Sequence, residues 1–205
     1  MSRALLGMMM WAGMLFSGIP TAAVLLEKIV AVVDGEVLTL QDFEDLLALR
    51  GVWQPSAAVT GRQQSFQRFV DDTLIRQEAV RTRIVEVAEA QVTQFLHAIA
   101  AQRERQAHLD QVIRDRGLTM RQVRSWVRQQ LVVDAFIERR IRLFVRVSDR
   151  QITQYYHQHQ QAIGEPLSDA VHEQIRRILV VQQVNVRLDG LVKDLRRKAS
   201  VDFPP

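Results

Sequence analysis

The side chains able to do chemistry are few and scattered. His97, His108, His157, His159 and His172 fall along segments of helical pattern, and none has a nucleophile or a paired carboxylate beside it at a spacing that would build a base and its target. His157 and His159 flank Gln158 and could share a metal ion, but no carboxylate or further His stands at ligand spacing, so no metal site, no cofactor and no catalytic residue is expected. Cys is absent, which removes disulfides, thiolate zinc sites and cysteine nucleophiles.

The remaining candidates are contact residues. Tyr155 and Tyr156 could stack on the aromatic side chains of a bound polypeptide, with half-buried packing and wet hydroxyls as the alternative. Trp53 lies beside Val52 and Pro55 in a predicted loop, where an aromatic has little core to hide in, and it is the stronger candidate for an exposed apolar contact. Sealing the hairpin against the second helix is its other role. Arg121, Arg124, Arg128, Arg139, Arg142 and Arg146 form one helical stripe that is either a solvated face or a surface for acidic polypeptide or lipid headgroups.

The elements that must position these residues are mostly helices. Only 9 Gly and 5 Pro interrupt 205 residues, and the residues that dominate are helix formers, so an all-β architecture is disfavoured. The formal charge of +4 is a mild excess, not the footprint of a dedicated nucleic-acid binder, and no nucleic-acid motif is present. No tandem repeat is visible.

The N-terminus reads as a leader. Arg3 precedes an uncharged apolar stretch from Ala4 to Ile19, and Thr21-Ala-Ala places small residues for cleavage before Val24. The apolar run is shorter than the about 20 residues a spanning helix needs, so residues 1–23 are read as a signal peptide with no stable span after its removal. An uncleaved anchor is the alternative.

After the leader, two β-branched runs around Asp34-Gly35 predict a hairpin with a type I′ turn, because Asp and Gly tolerate positive φ. Thr39 with Asp42 predicts an N-cap for a first helix over about 40–50, ending at Gly51. A loop over 52–64 and a second helix to about Arg81 follow. One helix or two run from about Ala88 to Gly117. Thr119 with Gln122 caps a periodic helix reaching Phe144, and Ser148 with Gln151 caps a short one carrying Ile152, Tyr155 and Tyr156. The last helix spans about Asp169 to Arg197, with Val171, Ile175, Ile178, Val181, Val184, Leu188, Leu191 and Leu195 read as one apolar face.

Four segments carry a family resemblance. Lys28-Ile-Val-Ala-Val-Val-Asp-Gly-Glu-Val-Leu-Thr-Leu-Gln-Asp-Phe resembles the opening of SurA-type periplasmic chaperones, and Phe69-Val-Asp-Asp-Thr-Leu-Ile-Arg-Gln-Glu-Ala resembles their second helix. Gly117-Leu-Thr-Met-Arg-Gln-Val-Arg-Ser-Trp-Val-Arg-Gln-Gln-Leu resembles their long helix, and Val147-Ser-Asp-Arg-Gln-Ile-Thr-Gln-Tyr-Tyr the helix that leads into the first parvulin domain. The stretch from Val171 to Phe203 is similar to the helix that returns to the N-terminal core and its trailing strand.

The resemblance implies a mostly α chaperone core over residues 24–205, with a small N-terminal hairpin and a long C-terminal helix packing back on it. Residues 157–170 form a short linker where parvulin domains would be inserted, and such a domain needs on the order of a hundred residues. The resemblance therefore implies a non-enzymatic, ATP-independent periplasmic holdase for unfolded polypeptides, outer-membrane proteins among them, without peptidyl-prolyl isomerase activity. The other expectation is a non-catalytic adaptor for a single envelope or export partner. Both leave a homo-oligomer open.

Overall fold

The computed structural model describes residues 28–54 and 61–204. The signal peptide expected at 1–23 and the residues around Pro55 and Ser56 lie outside them.

Strands β1 (Ile29–Val33) and β2 (Glu36–Thr39) pair antiparallel through Val33 opposite Glu36 and Val32 opposite Val37. The turn has φ of 48° at Asp34 and 84° at Gly35, the positive pair that a type I′ hairpin needs. A third strand, β3 (Val201–Asp202), joins the other edge of β1, giving the order β2-β1-β3.

Seven helices follow β2 among the described residues: α1 (Leu40–Trp53), α2 (Arg62–Thr82), α3 (Glu89–Ala100), α4 (Arg103–Arg116), α5 (Met120–Arg140), α6 (Asp149–Ile163) and α7 (Asp169–Lys198). The fold is mostly helical, with the long α7 returning to the N-terminal region, as expected. Thr39, Thr119 and Ser148 cap α1, α5 and α6 through reciprocal bonds with Asp42, Gln122 and Gln151. Gly117 takes the left-handed conformation at the end of α4, so the stretch from Ala88 resolves into two helices broken at Ala101–Gln102.

Three expected boundaries move, each because burial outweighs a local signal. Gly51 does not stop α1: Val52 and Trp53 turn inward on a further turn, and their burial exceeds the roughly 1 kcal/mol that an interior Gly costs. The α5 helix stops at Arg140, and Arg142–Phe144 tighten into a 3₁₀ turn while Ile141 and Val145 bury against Val184. The α6 helix ends at the break that Gly164, Pro166 and Ser168 predict, but it runs through residues 157–163 because Tyr156 and Ile163 pack against α7, so the linker is shorter than 157–170.

The apolar residues of α7 serve opposite faces. Val171, Ile175 and Leu179 pack on Ile152 and Tyr156 of α6, whereas Val180, Val184, Leu188 and Leu191 pack on Ile141 and Val145 beyond α5. At about 100° per residue these two sets lie roughly half a turn apart. Val181, expected on a single stripe, is exposed. One helix of about 45 Å thereby joins separate cores, and its Leu191 and Leu195 also reach Ile75 of α2 and Phe136 of α5.

The largest core lies among α1, α3, α4 and α5, around Leu49, Val92, Leu109, Val123 and Val127. A second, around Val33, Leu38, Phe43, Phe69 and Leu74, holds the sheet on α1 and α2.

Candidate functional site

A cleft of about 230 Å³ separates β2 from α5. Glu36, Val37 and Leu38 of β2 form one wall and Gln122, Ser125, Trp126 and Gln129 of α5 the other; Asp42 and Asp45 of α1 with Phe69, Thr73 and Arg76 of α2 complete a mostly polar lining. Among the described residues β2 is an outer strand, paired with β1 on one side only. Val37 is 48% exposed, so an apolar side chain stands at this edge.

The cleft is built on aromatic rings. Phe66, Phe43, Phe69 and Trp126 follow one another at centroid separations of 5.4, 5.9 and 6.3 Å, with Phe43 and Phe69 stacked and Phe69 and Trp126 tilted. Trp126 is partly buried and touches both the α1–α5 core and the sheet core, so its ring is fixed where the two meet. The Thr73 hydroxyl donates to the Phe69 carbonyl at 3.0 Å, which leaves the apolar floor without a free donor from that side chain.

Charge is arranged in pairs around this floor. Arg76 bonds Glu36 across α2 and β2, and Gln77 Nε2 donates to both the Val33 carbonyl and a Glu36 carboxylate oxygen at 3.0 Å. These contacts fix the hairpin turn end of β2 on α2. Arg116 Nε donates to the buried Asp45 carboxylate at 2.7 Å, joining α4 to α1.

At the inner end, Phe69, Thr73, Arg76, Trp126 and Gln129 also line a smaller recess that reaches the Arg50–Asp72 ion pair. Burial pushes the Asp72 carboxyl above the ordinary aspartate range, against the opposing pull of the Arg50 guanidinium. Arg50 Nε has no hydrogen-bond partner, so Asp72 is the main compensation for that buried cation.

The expected contact residues do not converge on the cleft. Trp53 is a correction: it is 8% exposed in the last turn of α1, edge-on to Phe95 at 5.9 Å, and belongs to the largest core, because the helix outruns Gly51 and carries the indole inward. It is neither a loop aromatic nor a seal between hairpin and α2. Tyr156 is buried between α6 and α7, and its hydroxyl donates to the Glu165 carbonyl at 3.0 Å. Tyr155 is partly buried and stacks on His159 at 4.1 Å. Among the described residues no cluster of His, Asp and Glu is arranged to hold a metal ion.

The arginine stripe divides. Arg124 and Arg128 bond Glu89 of α3, and Arg139 donates to the Ile84 carbonyl at 2.6 Å. Arg142 pairs with Glu138 at 3.0 Å, and Arg146 donates to the carbonyls of Leu143 and Val145. Sequence reasoning missed Val37, Phe69 and Trp126 as a group; their only signal was an unpartnered strand run followed by aromatics on two helical faces. No protein-family model matches this chain, and no curated protein matches it.

Proposed function

We propose that the chain is an ATP-independent holdase of the periplasm, binding unfolded polypeptide in the cleft between β2 and α5. The observation that carries this reading is the unpaired edge of β2 facing Trp126 across an open, aromatic-floored space. An extended segment there adds a strand to the sheet through main-chain hydrogen bonds, while alternate side chains reach Trp126 and Phe69. Main-chain pairing is indifferent to sequence, and glutamine and serine at the α5 wall accept varied side chains. A broad client range follows from both features. Isomerisation of proline and other catalysis form no part of this reading.

The test is light scattering of a urea-denatured outer-membrane β-barrel protein diluted into buffer with and without the chain. Suppression near equimolar ratio supports a holdase, and loss of suppression in Ser125→Trp, which fills the cleft from an exposed position, places the client there. Absence of suppression by a folded protein rejects the holdase and leaves a dedicated-partner adaptor.

A further inference from the structure

We propose that the 3₁₀ turn Arg142–Phe144, between α5 and α6, docks the protein on the surface of an anionic lipid bilayer. Leu143 and Phe144 are 55% and 65% exposed side by side, while Ile141 and Val145 on either side are buried against Val184. The two exposed apolar side chains thus sit on a braced turn. Such a pair is a liability in water and an anchor at a membrane interface.

The charge around the turn is positive. Arg140, Arg146, Arg150 and Arg187 have no carboxylate partner among the described residues, whereas Glu138 is paired with Arg142 and Asp149 with Arg176. These positive charges, uncompensated by a carboxylate, match the negative potential of an anionic leaflet, where each basic residue adds to binding.

Every carbonyl from Ile141 to Val145 is paired within the protein. Phe144 N–H donates to the Ile141 carbonyl at 3.0 Å and Val145 N–H to the Arg142 carbonyl at 3.1 Å. Arg146 Nη1 donates to the carbonyls of Leu143 and Val145 at 2.9 and 3.1 Å, and Arg187 Nη1 to that of Phe144 at 3.3 Å. A turn whose apolar side chains reach toward the acyl boundary loses less on leaving water when its carbonyls are already paired. An acidic polypeptide would engage the cations but would not require the apolar pair. No described helix is long and apolar enough to cross a membrane. The inference stands whether or not the cleft binds polypeptide.

Because the chain has no Cys, a single introduced thiol reports one position. Full-length Phe144→Cys, labelled with an environment-sensitive fluorophore, is mixed with vesicles of phosphatidylcholine alone or with added phosphatidylglycerol. Val80→Cys on α2, also exposed, is the control for attachment through any other part of the chain. The expected result is a blue shift and intensity gain at position 144 only, only with phosphatidylglycerol, and reversed by high salt. Adding Arg140→Gln and Arg150→Gln lowers that partitioning about tenfold with the fold unchanged. No change at 144, an equal change at 80, or an equal response to phosphatidylcholine alone overturns the proposal. A shift with polyglutamate but not with vesicles also overturns it and assigns the surface to an acidic polypeptide.

Discussion

Asp34 and Ser200, 166 residues apart, bond each other twice: the Asp34 carboxylate accepts from the Ser200 N–H at 2.8 Å, and the Asp34 N–H donates to the Ser200 carbonyl at 2.9 Å. This exchange ties the hairpin turn to the segment between α7 and β3. The same residue holds φ of 48°, so it shapes the turn and clasps the C-terminus together. Asp34→Ala should therefore cost about 2 kcal/mol, from left-handed strain plus a lost hydrogen bond. Asp34→Asn, which tolerates the conformation and keeps an acceptor, should cost less than about 1 kcal/mol. Urea midpoints of the two variants compare directly, and equal losses would deny Asp34 this double role.

The Arg50–Asp72 pair behaves as a unit. Arg50→Met leaves the Asp72 carboxylate buried without its cation and should destabilise by about 3 kcal/mol in chemical denaturation, the low end for a buried pair because Asp72 is partly exposed. Replacing both, as Arg50→Met with Asp72→Leu, should recover most of that loss. A double variant as unstable as the single one would mean the pair contributes more than mutual compensation.

Asp72 also sets a pH dependence of defined sign. Its folded-state carboxyl binds protons more tightly than in the unfolded chain, because burial disfavours the charge. As pH rises from the unfolded-state value toward the folded one, the unfolded chain ionises first, and this residue's contribution to stability declines. Stability differences between wild type and Asp72→Asn, measured across the acidic range, should accordingly be larger below that window than above it. A difference that grows with pH there would reverse the assignment.

Gly190 lies inside α7 with space around it, since a Cβ there meets no atom within 4 Å. Gly190→Ala should stabilise the protein by about 0.5–1 kcal/mol, read as a raised melting temperature. A drop would show that α7 is not a continuous helix through this position in solution.

What the sequence determined by itself is what neighbours along the chain decide. The Asp34-Gly35 turn and the Thr39, Thr119 and Ser148 caps each join groups within a few residues, so their geometry is written locally. The helices follow from those caps and from apolar spacing. Only tertiary structure decided that α1 runs past Gly51 to bury Trp53, since the energy comes from Phe95 on another helix. It alone split the apolar residues of α7 between two opposite faces, because spacing reveals that a residue wants a partner but not on which side the partner stands. The cleft is of this second kind: Val37, Phe69 and Trp126 lie on separate elements, and packing across long loops of chain brings them together.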